Sequence, residues 1–190
     1  MNIQGKTIGR NNFLFKINKK LKFVVAPTIL LIILNFVLVL AAEVSFTNSS
    51  ISWGNGMVNS GADYAILDSE SNQVINGSWT PTNDFFVLEN IGEENVTLNL
   101  KSDINASNFI GGTNPSFKWK VIDSVSSCVN ASNTEFTDVN TTENGTRICD
   151  VFYNNDSTDE IKIYFKLTIP SDATKIGVRS ATITALISAI

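Results

Sequence analysis

The sequence predicts an all-β protein, a single antiparallel β-sandwich of the Ig-like, Greek-key kind, preceded by an N-terminal hydrophobic helix. Three observations support this: one long uncharged apolar run, a two-residue apolar period after it, and frequent clusters of turn residues. The 190 residues allow one domain in addition to a leader segment. We therefore divide the chain into residues 1–22, 23–42 and 43–190.

The apolar run extends from Phe23 to Ala42 and reads FVVAPTILLIILNFVLVLAA, without a charged residue. As a helix it would measure roughly 30 Å, which matches the hydrocarbon core of a bilayer. It has no polar face, unlike a helix of a soluble core. Residues 1–22 carry six Lys and Arg and no acidic residue, so we expect a basic n-region that stays in the cytoplasm. Residues 43–190 then lie outside the cell.

Two fates of this run are open. Val39 and Ala41 place small residues at the −3 and −1 positions of a signal-peptidase site, which predicts cleavage near Ala41 or Ala42. The basic flank is long for a secretory signal, and an uncleaved transmembrane anchor fits it as well. The expected location is therefore the extracellular face of the membrane, or the cell surface after release.

The part after residue 42 shows strand periodicity. VTLNLKS, FKWKVI and IKIYFKLTI each alternate apolar and polar residues, as strands with one buried face do. RSATITALI predicts a final strand. Turn residues separate these strands in GNG at Gly54–Gly56, DSESN at Asp68–Asn72, NIGEEN at Asn90–Asn95 and PSDATKIG at Pro170–Gly177.

Cys128 and Cys149 are the two cysteines of the chain, with twenty residues between them. Outside the membrane such a pair predicts a disulfide that closes a long polar loop. Closing a loop of this length stabilises the folded chain by about 3 kcal/mol. No CxxC spacing supports a redox role, and linkage to another chain is the alternative.

Asparagine sequons are more frequent after residue 42 than composition explains, by about twofold. They are candidates for N-glycosylation, although Asn, Ser and Thr also suit turns and exposed strand faces. Three of the eight lie inside the predicted disulfide loop. The candidate asparagines are Asn48, Asn76, Asn95, Asn105, Asn130, Asn140, Asn144 and Asn155.

Composition excludes several chemistries. Histidine is absent, which removes Ser-His and Cys-His nucleophile pairs and imidazole zinc ligands. All 18 Asp and Glu follow residue 42 against eight Lys and Arg, so that part carries a formal net charge of −10 and is not expected to bind nucleic acid. We predict no catalytic residue, metal ligand or cofactor.

Three groups of residues could carry a ligand but fit a structural role better. Asp68, Glu70 and Asn72 have calcium-loop spacing, but Gln73 stands where that loop needs glycine, so a hairpin turn is expected. The acidic stretch NNDSTDE, with Asp156, Asp159 and Glu160, suits a solvated loop or a weak calcium site. Three tryptophans could line a sugar-binding face, but core or edge packing is the expected role of Trp53, Trp79 and Trp119.

Two stretches resemble a known class. FFVLENIGEENVTLNLKSD, from Phe85 to Asp103, resembles a strand–turn–strand unit of archaeal S-layer-type Ig-like modules. IKIYFKLTIPSDATKIGVRSATITALISA is similar to the closing hairpin of small secreted archaeal β-sandwich proteins. The resemblance implies a non-enzymatic role in the cell envelope and assigns no catalytic residue.

The function expected from these observations is that of a non-enzymatic extracellular structural or interaction protein of the cell envelope. Its partners would be other envelope proteins or further copies of itself, and the membrane through residues 23–42 if these are not removed. The alternative is a subunit of a surface filament assembled by donor-strand complementation, with EVSFTNSSISW as the donor. An enzyme acting on glycans or peptides would need two carboxylates in a deep cleft.

Overall fold

A computed structural model describes residues 1–7, 42–155 and 159–190. The predicted hydrophobic helix at 23–42 falls outside these ranges except for Ala42, as do Val39 and Ala41 of the predicted cleavage region. Among the described residues, no helix is long and apolar enough to cross a membrane.

The described residues form thirteen strands and one short helix, so the all-β prediction is confirmed. The strands are β1 Asn2–Thr7, β2 Ser45–Asn48, β3 Ser50–Ser52, β4 Tyr64–Asp68, β5 Gln73–Ile75, β6 Phe86–Glu89, β7 Val96–Ser102, β8 Ser116–Ile122, β9 Cys128–Val129, β10 Thr137–Asp138, β11 Thr146–Phe152, β12 Glu160–Pro170 and β13 Ser180–Ala189; the helix is α1, Ala106–Phe109.

The strands form two sheets whose apolar faces share one core. Sheet A has the order β3-β1-β13-β7-β11-β9, and sheet B has the order β10-β8-β12-β4-β5. Strand β6 pairs with the first half of β12, beside β4 on the second half, and β2 pairs with β6. Strand β12 is therefore the centre of sheet B, and its eleven residues extend over about 34 Å.

Alternating burial confirms the predicted strand faces. Strands β7, β8 and β12 bury every second residue, as the two-residue period indicates. In the core, the Phe165 ring lies 5.0 Å from the Phe86 ring and 6.1 Å from the Phe117 ring, and Phe109 of α1 lies 5.1 Å from Phe117. These aromatic contacts pack sheet B and α1 together in the interior.

One detail of the sequence interpretation is wrong. Strands β12 and β13 lie in different sheets, so the segment Ile161–Ala189 is not a closing hairpin. Strands β6 and β7 follow each other across the segment 90–95, but β6 lies in sheet B and β7 in sheet A. Alternation shows which face of a strand is buried, but it does not show which neighbour the strand pairs with.

Strand β1 was not predicted. The sequence placed Asn2–Thr7 in a basic flank, whereas the structure inserts it between β3 and β13 of sheet A. It runs parallel to β13, from Asn2 beside Ser180 to Thr7 beside Ala185, and antiparallel to β3. The six-residue strand carries one buried apolar residue, too weak a pattern to detect. The position of residues 1–22 relative to a membrane stays a prediction.

The sandwich has two distinct ends. The segment 171–179, between β12 and β13, lies at one of them, which we call the β12–β13 end. Ser45 pairs with Glu89, which in turn pairs with Glu160 at the start of β12. The chain that follows the predicted leader therefore enters the domain at the opposite end, roughly one β12 length away.

Candidate functional site

A cleft of about 560 Å³ opens at the β12–β13 end. We call it the terminal cleft. Its walls are the segment 54–62, which follows β3, and the segment 171–179. Its apolar lining includes Met1, Met57, Trp79, Ile110, Ile176 and Val178. The lining contains no Asp, Glu or Cys, so the terminal cleft has no carboxylate pair and no thiol among its described residues.

The rim of the terminal cleft exposes large apolar side chains. Met57 is 71% exposed, Ile176 86% and Val178 81%. Lys175 and Arg179 flank the last two and also line the cleft. Apolar side chains grouped in this way, with basic residues beside them, are typical of surfaces that contact another molecule. Within the acidic domain, this rim is a local concentration of positive charge.

Trp79 forms one side wall of the terminal cleft, half-buried beside two glycines. A Cβ atom on Gly77 would lie 2.8 Å from the Trp79 ring, and one on Gly56 would lie closer still. The indole therefore occupies space that any other residue at either position would fill. Trp79 packs against the edge of the core, in line with the expected core or edge role, and the same ring also lines the cleft.

The terminal cleft continues into the position of β1, since Met1 lines the cleft and β1 starts beside it. Ile3 is fully buried, level with Ile51 of β3 on one side and Ala181 of β13 on the other. A Cβ atom at Gly5 would lie 2.8 Å from the Phe46 ring, so this position favours glycine.

The backbone of β1 is bound on both sides. Asn2 N–H donates to the Arg179 carbonyl at 2.7 Å, and Gly5 N–H donates to the Ser49 carbonyl at 2.9 Å. The Met1 ammonium donates to the Gly54 carbonyl at 2.9 Å, and partial burial lowers the pKa of this amino group. Strand β1 thus fills a slot of one strand's width.

The two cysteines form the predicted disulfide, with Cα atoms 5.2 Å apart. Cys128 lies in β9, at the edge of sheet A, and Cys149 lies in the neighbouring β11. Between them the chain crosses to sheet B, where β10 pairs with β8, and then returns. The bridge therefore closes a loop that covers one open side of the sandwich.

The eight candidate asparagines fall into two groups. Asn48 and Asn140 are half-buried, and their side-chain amides donate to the carbonyls of Phe85 at 2.7 Å and Gly145 at 3.0 Å. A sugar on the amide nitrogen would disturb those hydrogen bonds. The remaining six side chains are exposed: Asn76, Asn95, Asn105, Asn130, Asn144 and Asn155.

The DSESN segment is a hairpin turn between β4 and β5, as expected. The Asp68 carboxylate accepts from the N–H groups of Glu70 and Ser71 at 3.0 and 3.2 Å, and it pairs with Lys166 at 3.0 Å. Glu70 pairs with Lys120 at 2.6 Å, and this hydrogen bond raises the pKa of Lys120. The carboxylates are therefore engaged in turn and ion-pair contacts.

No group of acidic, Cys or His residues within the described ranges could hold a metal ion. In the NNDSTDE stretch, Asp156 lies outside those ranges, Asp159 directly precedes β12 and Glu160 is its first residue. Trp53 and Trp119 are fully buried, so the core interpretation is confirmed for both. A second cavity, lined by Asn105 and Phe117 among others, has a volume of only about 270 Å³.

The outer face of sheet B carries half of the basic residues that follow residue 42, namely Lys118, Lys120, Lys162 and Lys166. Aromatic rings lie against several of these ammonium groups. Lys120 and Lys166 are 5.9 and 5.1 Å from the Phe136 centroid, and Lys162 is 5.2 Å from the Phe85 centroid. Lys120 and Lys166 also form the ion pairs with Glu70 and Asp68, and nothing in the described part of the chain indicates a ligand on this face.

The fold and the site define an all-β sandwich with an apolar terminal cleft that continues into a slot filled by β1. Comparisons with protein-family models, with curated proteins and with solved structures found no match for this chain. Its function is therefore inferred from its own residues.

The sequence did not reveal the terminal cleft or the slot. Ile176 and Val178 alternate around a glycine in PSDATKIG and the residues after it, a stretch whose residue types predict only a turn. Their apolar character was the one available signal. Only the tertiary structure places them beside Met57, which is distant in the sequence, and shows that they are exposed.

Proposed function

We propose that this chain is a non-enzymatic structural or interaction protein of the cell envelope, exposed outside the membrane. The observation that carries the proposal is the Cys128–Cys149 disulfide in an acidic sandwich. Disulfides persist in oxidising compartments, and the sequence before residue 43 has the features of a leader.

The composition of the surface supports this role. Six exposed sequon asparagines lie on loops and strand ends, where glycans would meet solvent. The terminal cleft presents apolar and basic side chains without a carboxylate, which suits binding better than hydrolysis. The chain enters the sandwich at the opposite end, so an anchored domain would direct the terminal cleft away from the membrane.

We also propose that the sandwich has the Ig-like, Greek-key topology. The support is that the chain passes from one sheet to the other between β6 and β7 and again between β12 and β13. The same crossings fit the resemblance to S-layer-type modules of archaeal envelopes.

The second candidate function is a filament subunit assembled by donor-strand complementation. The slot filled by β1 favours strand addition in general. It does not favour the donor suggested by the sequence, because Val44 and Ile51 are buried in the core of their own domain and β2 pairs with β6. Removing Glu43–Ser50 would therefore damage the subunit itself.

The test is intact mass spectrometry of the protein from its native envelope, before and after enzymatic or chemical deglycosylation. The proposal expects an N-terminus at Ala42 or Glu43 and a sugar mass that deglycosylation removes. A chain found only in the cytoplasm, with Met1 retained and no added mass, would contradict it.

Glycosylation is tested site by site with a matched pair. Asn76→Gln is expected to lower the mass by one glycan, because Asn76 is exposed in a turn between β5 and the following segment. Asn48→Gln is expected to leave the glycan mass unchanged, because the Asn48 amide is engaged with a backbone carbonyl. Equal losses at both positions would show that burial does not control occupancy.

A further inference from the structure

In a chain whose residues 43–190 are exported, β1 cannot remain part of the sandwich. A chain that crosses a bilayer once at residues 23–42 has its two flanks on opposite sides, so Asn2–Thr7 cannot pair with β13 of the same chain. Cleavage near Ala41 likewise separates β1 from the domain. In either case the exported sandwich lacks the strand that fills the space between β3 and β13.

We propose that the exported sandwich uses this space as an acceptor slot for an extended strand of a different envelope polypeptide. The inference rests on the proposed function, because it requires export without β1. It also defines the mode of binding, β-strand addition into the interior of a sheet.

The vacated slot would have an edge on each side. Ser180–Ala185 of β13 pairs with β1 in parallel, and Ser50–Ser52 of β3 pairs with it in antiparallel orientation. Adjacent strands lie about 4.8 Å apart, so the two edges stand roughly 9.6 Å apart, the width of one inserted strand. Strand β3 has no other pairing partner within the described strands, so without β1 its position at the edge of the slot depends on the packing of Ile51 in the core.

The floor of the slot is apolar. Ile51, Ala181 and Ile183 are buried beside β1, and removing Ile3 would expose them to water. A sheet with unpaired edges above an apolar floor binds further strands or aggregates. A protein that functions outside the cell therefore needs an occupant for this slot.

The sequence of β1 indicates the chemistry of the occupant. Its core-facing positions are Met1 and Ile3, followed by Gly5, where the Phe46 ring leaves little room for a side chain. The slot therefore selects an apolar residue, a second apolar residue two positions later, and glycine two positions after that. The inserted strand would run parallel to β13, as β1 does.

A second copy of the exported sandwich does not supply that pattern. None of the nine glycines after residue 42 has apolar residues at both two and four positions before it. Since residues 43–190 lack the pattern, the proposal takes a different polypeptide as the donor. When the donor strand runs parallel to β13, the residues before it reach the terminal cleft, where Met57, Ile176 and Val178 are exposed. Lys175 and Arg179 also line this cleft, so acidic residues at that point of the donor are favoured.

The first experiment uses the full chain with a specific protease site inserted between residues 8 and 41. The chain is folded, oxidised and then cut, so that β1 is held without a covalent link. A fluorescently labelled, amidated peptide of residues 1–7, MNIQGKT, is added, and its binding is followed by anisotropy. Saturable binding is expected.

Three variant peptides test the pattern. Ile3→Asp and Gly5→Val are each expected to weaken binding at least tenfold, because one places a charge in the core and the other meets the Phe46 ring. Gln4→Ala is the matched control, since Gln4 is exposed, and its affinity is expected to stay within threefold of the parent peptide. Equal affinity of all four peptides would overturn the proposal.

A resident strand that dissociates slowly could mask the exchange. The measurement is therefore repeated on a cut chain that carries Ile3→Ser in its own β1, with circular dichroism and an intact disulfide as evidence of folding. If the folded, cut variant still fails to bind MNIQGKT, no acceptor slot exists and the proposal is rejected.

The second experiment identifies the donor in the native envelope. A photo-reactive residue replaces Ser52 of β3, and the cross-linked peptide is sequenced. A cross-link to another polypeptide with the apolar–x–apolar–x–glycine pattern is expected. A cross-link to residues 1–7 or to a second copy would overturn the inference. Failure of the proposed function is distinguished by location: a chain recovered only from the cytoplasm would contradict the proposed function, whereas an exported chain that fails the cross-linking test would contradict this inference alone.

Discussion

The contribution of β1 to stability can be tested through Ile3. Its side chain is fully buried between Ile51 of β3 and Ala181 of β13, and it belongs to the common core of the two sheets. We expect Ile3→Ala, in the full chain, to lower the free energy of unfolding, because it removes buried methyl and methylene groups and leaves a cavity that the neighbouring strands fill only partly.

The size of the effect follows from burial. Complete burial of an isoleucine side chain stabilises a protein by about 2–3 kcal/mol, and truncations of buried Ile to Ala cost about 2–5 kcal/mol. Because β1 is terminal and can fray, we expect about 3 kcal/mol, near the lower part of that range. For a chain of this size, such a loss lowers Tm by roughly 6–12 °C.

The assay is urea unfolding followed by circular dichroism, with the disulfide intact and a thermal scan as a second measurement. Gln4→Ala is the matched control on the same strand, because Gln4 is exposed and its truncation is expected to cost less than about 0.5 kcal/mol. If both variants unfold at the wild-type urea concentration, β1 is not part of the sheet in solution, and our argument for the slot fails with it.

The remaining predictions concern loops and one carboxylate. Replacing both cysteines with alanine is expected to lower the free energy of unfolding by about 3 kcal/mol, and addition of a reductant to the wild type should give the same urea midpoint; no change would show that the loop is ordered without the bridge. Gly177→Ala and Gly145→Ala both place a side chain at positive φ, but only at Gly145 would the new Cβ meet a backbone carbonyl of β7. We expect Gly177→Ala to lower the free energy of unfolding, measured with a chemical denaturant, by about 1 kcal/mol, and Gly145→Ala to lower it by at least about 2 kcal/mol more. Similar costs would contradict the close approach of Gly145 to β7 as the cause. The Asp172 carboxylate accepts one hydrogen bond from the backbone N–H of Thr113 and another from its hydroxyl. These hydrogen bonds, the backbone one most strongly, lower the pKa of Asp172 below the ordinary value of 3.8. Thr113→Val keeps the N–H and removes the hydroxyl, so NMR titration should find the pKa of Asp172 raised part of the way back to its ordinary value. Because folding lowers the pKa of Asp172, these hydrogen bonds stabilise the folded protein above the ordinary pKa. That stabilisation is lost as the pH falls through the lower pKa of the folded protein.

Export would have a structural consequence for the domain itself. Without β1, the hydrogen bonding of sheet A is interrupted between β3 and the four strands β13-β7-β11-β9. The disulfide and the loop that it closes lie at the other edge of the same sheet, beside β9 and β11. They therefore stabilise the side of the sandwich that does not depend on β1.

The sequence by itself determined the fold class and most of the strand faces. A two-residue period in β7, β8 and β12 can be read locally, because successive side chains of a strand point to opposite sides whatever the strand pairs with. The hairpin turn after β4 and the cysteine pair were also predictable, since each depends on residue types within a short stretch or on the two thiols alone.

The tertiary structure decided everything that depends on neighbours distant in the chain. The partners of β6, β7, β12 and β13 follow from sheet packing, and the predicted hairpin failed because alternation carries no information on pairing. The position of β1 beside β13 joins residues near the two ends of the described chain, which no local pattern reports. The terminal cleft likewise exists only because segments 54–62 and 171–179 meet at one end of the sandwich. Several of their apolar side chains remain exposed there, because no other described part of the chain packs over them.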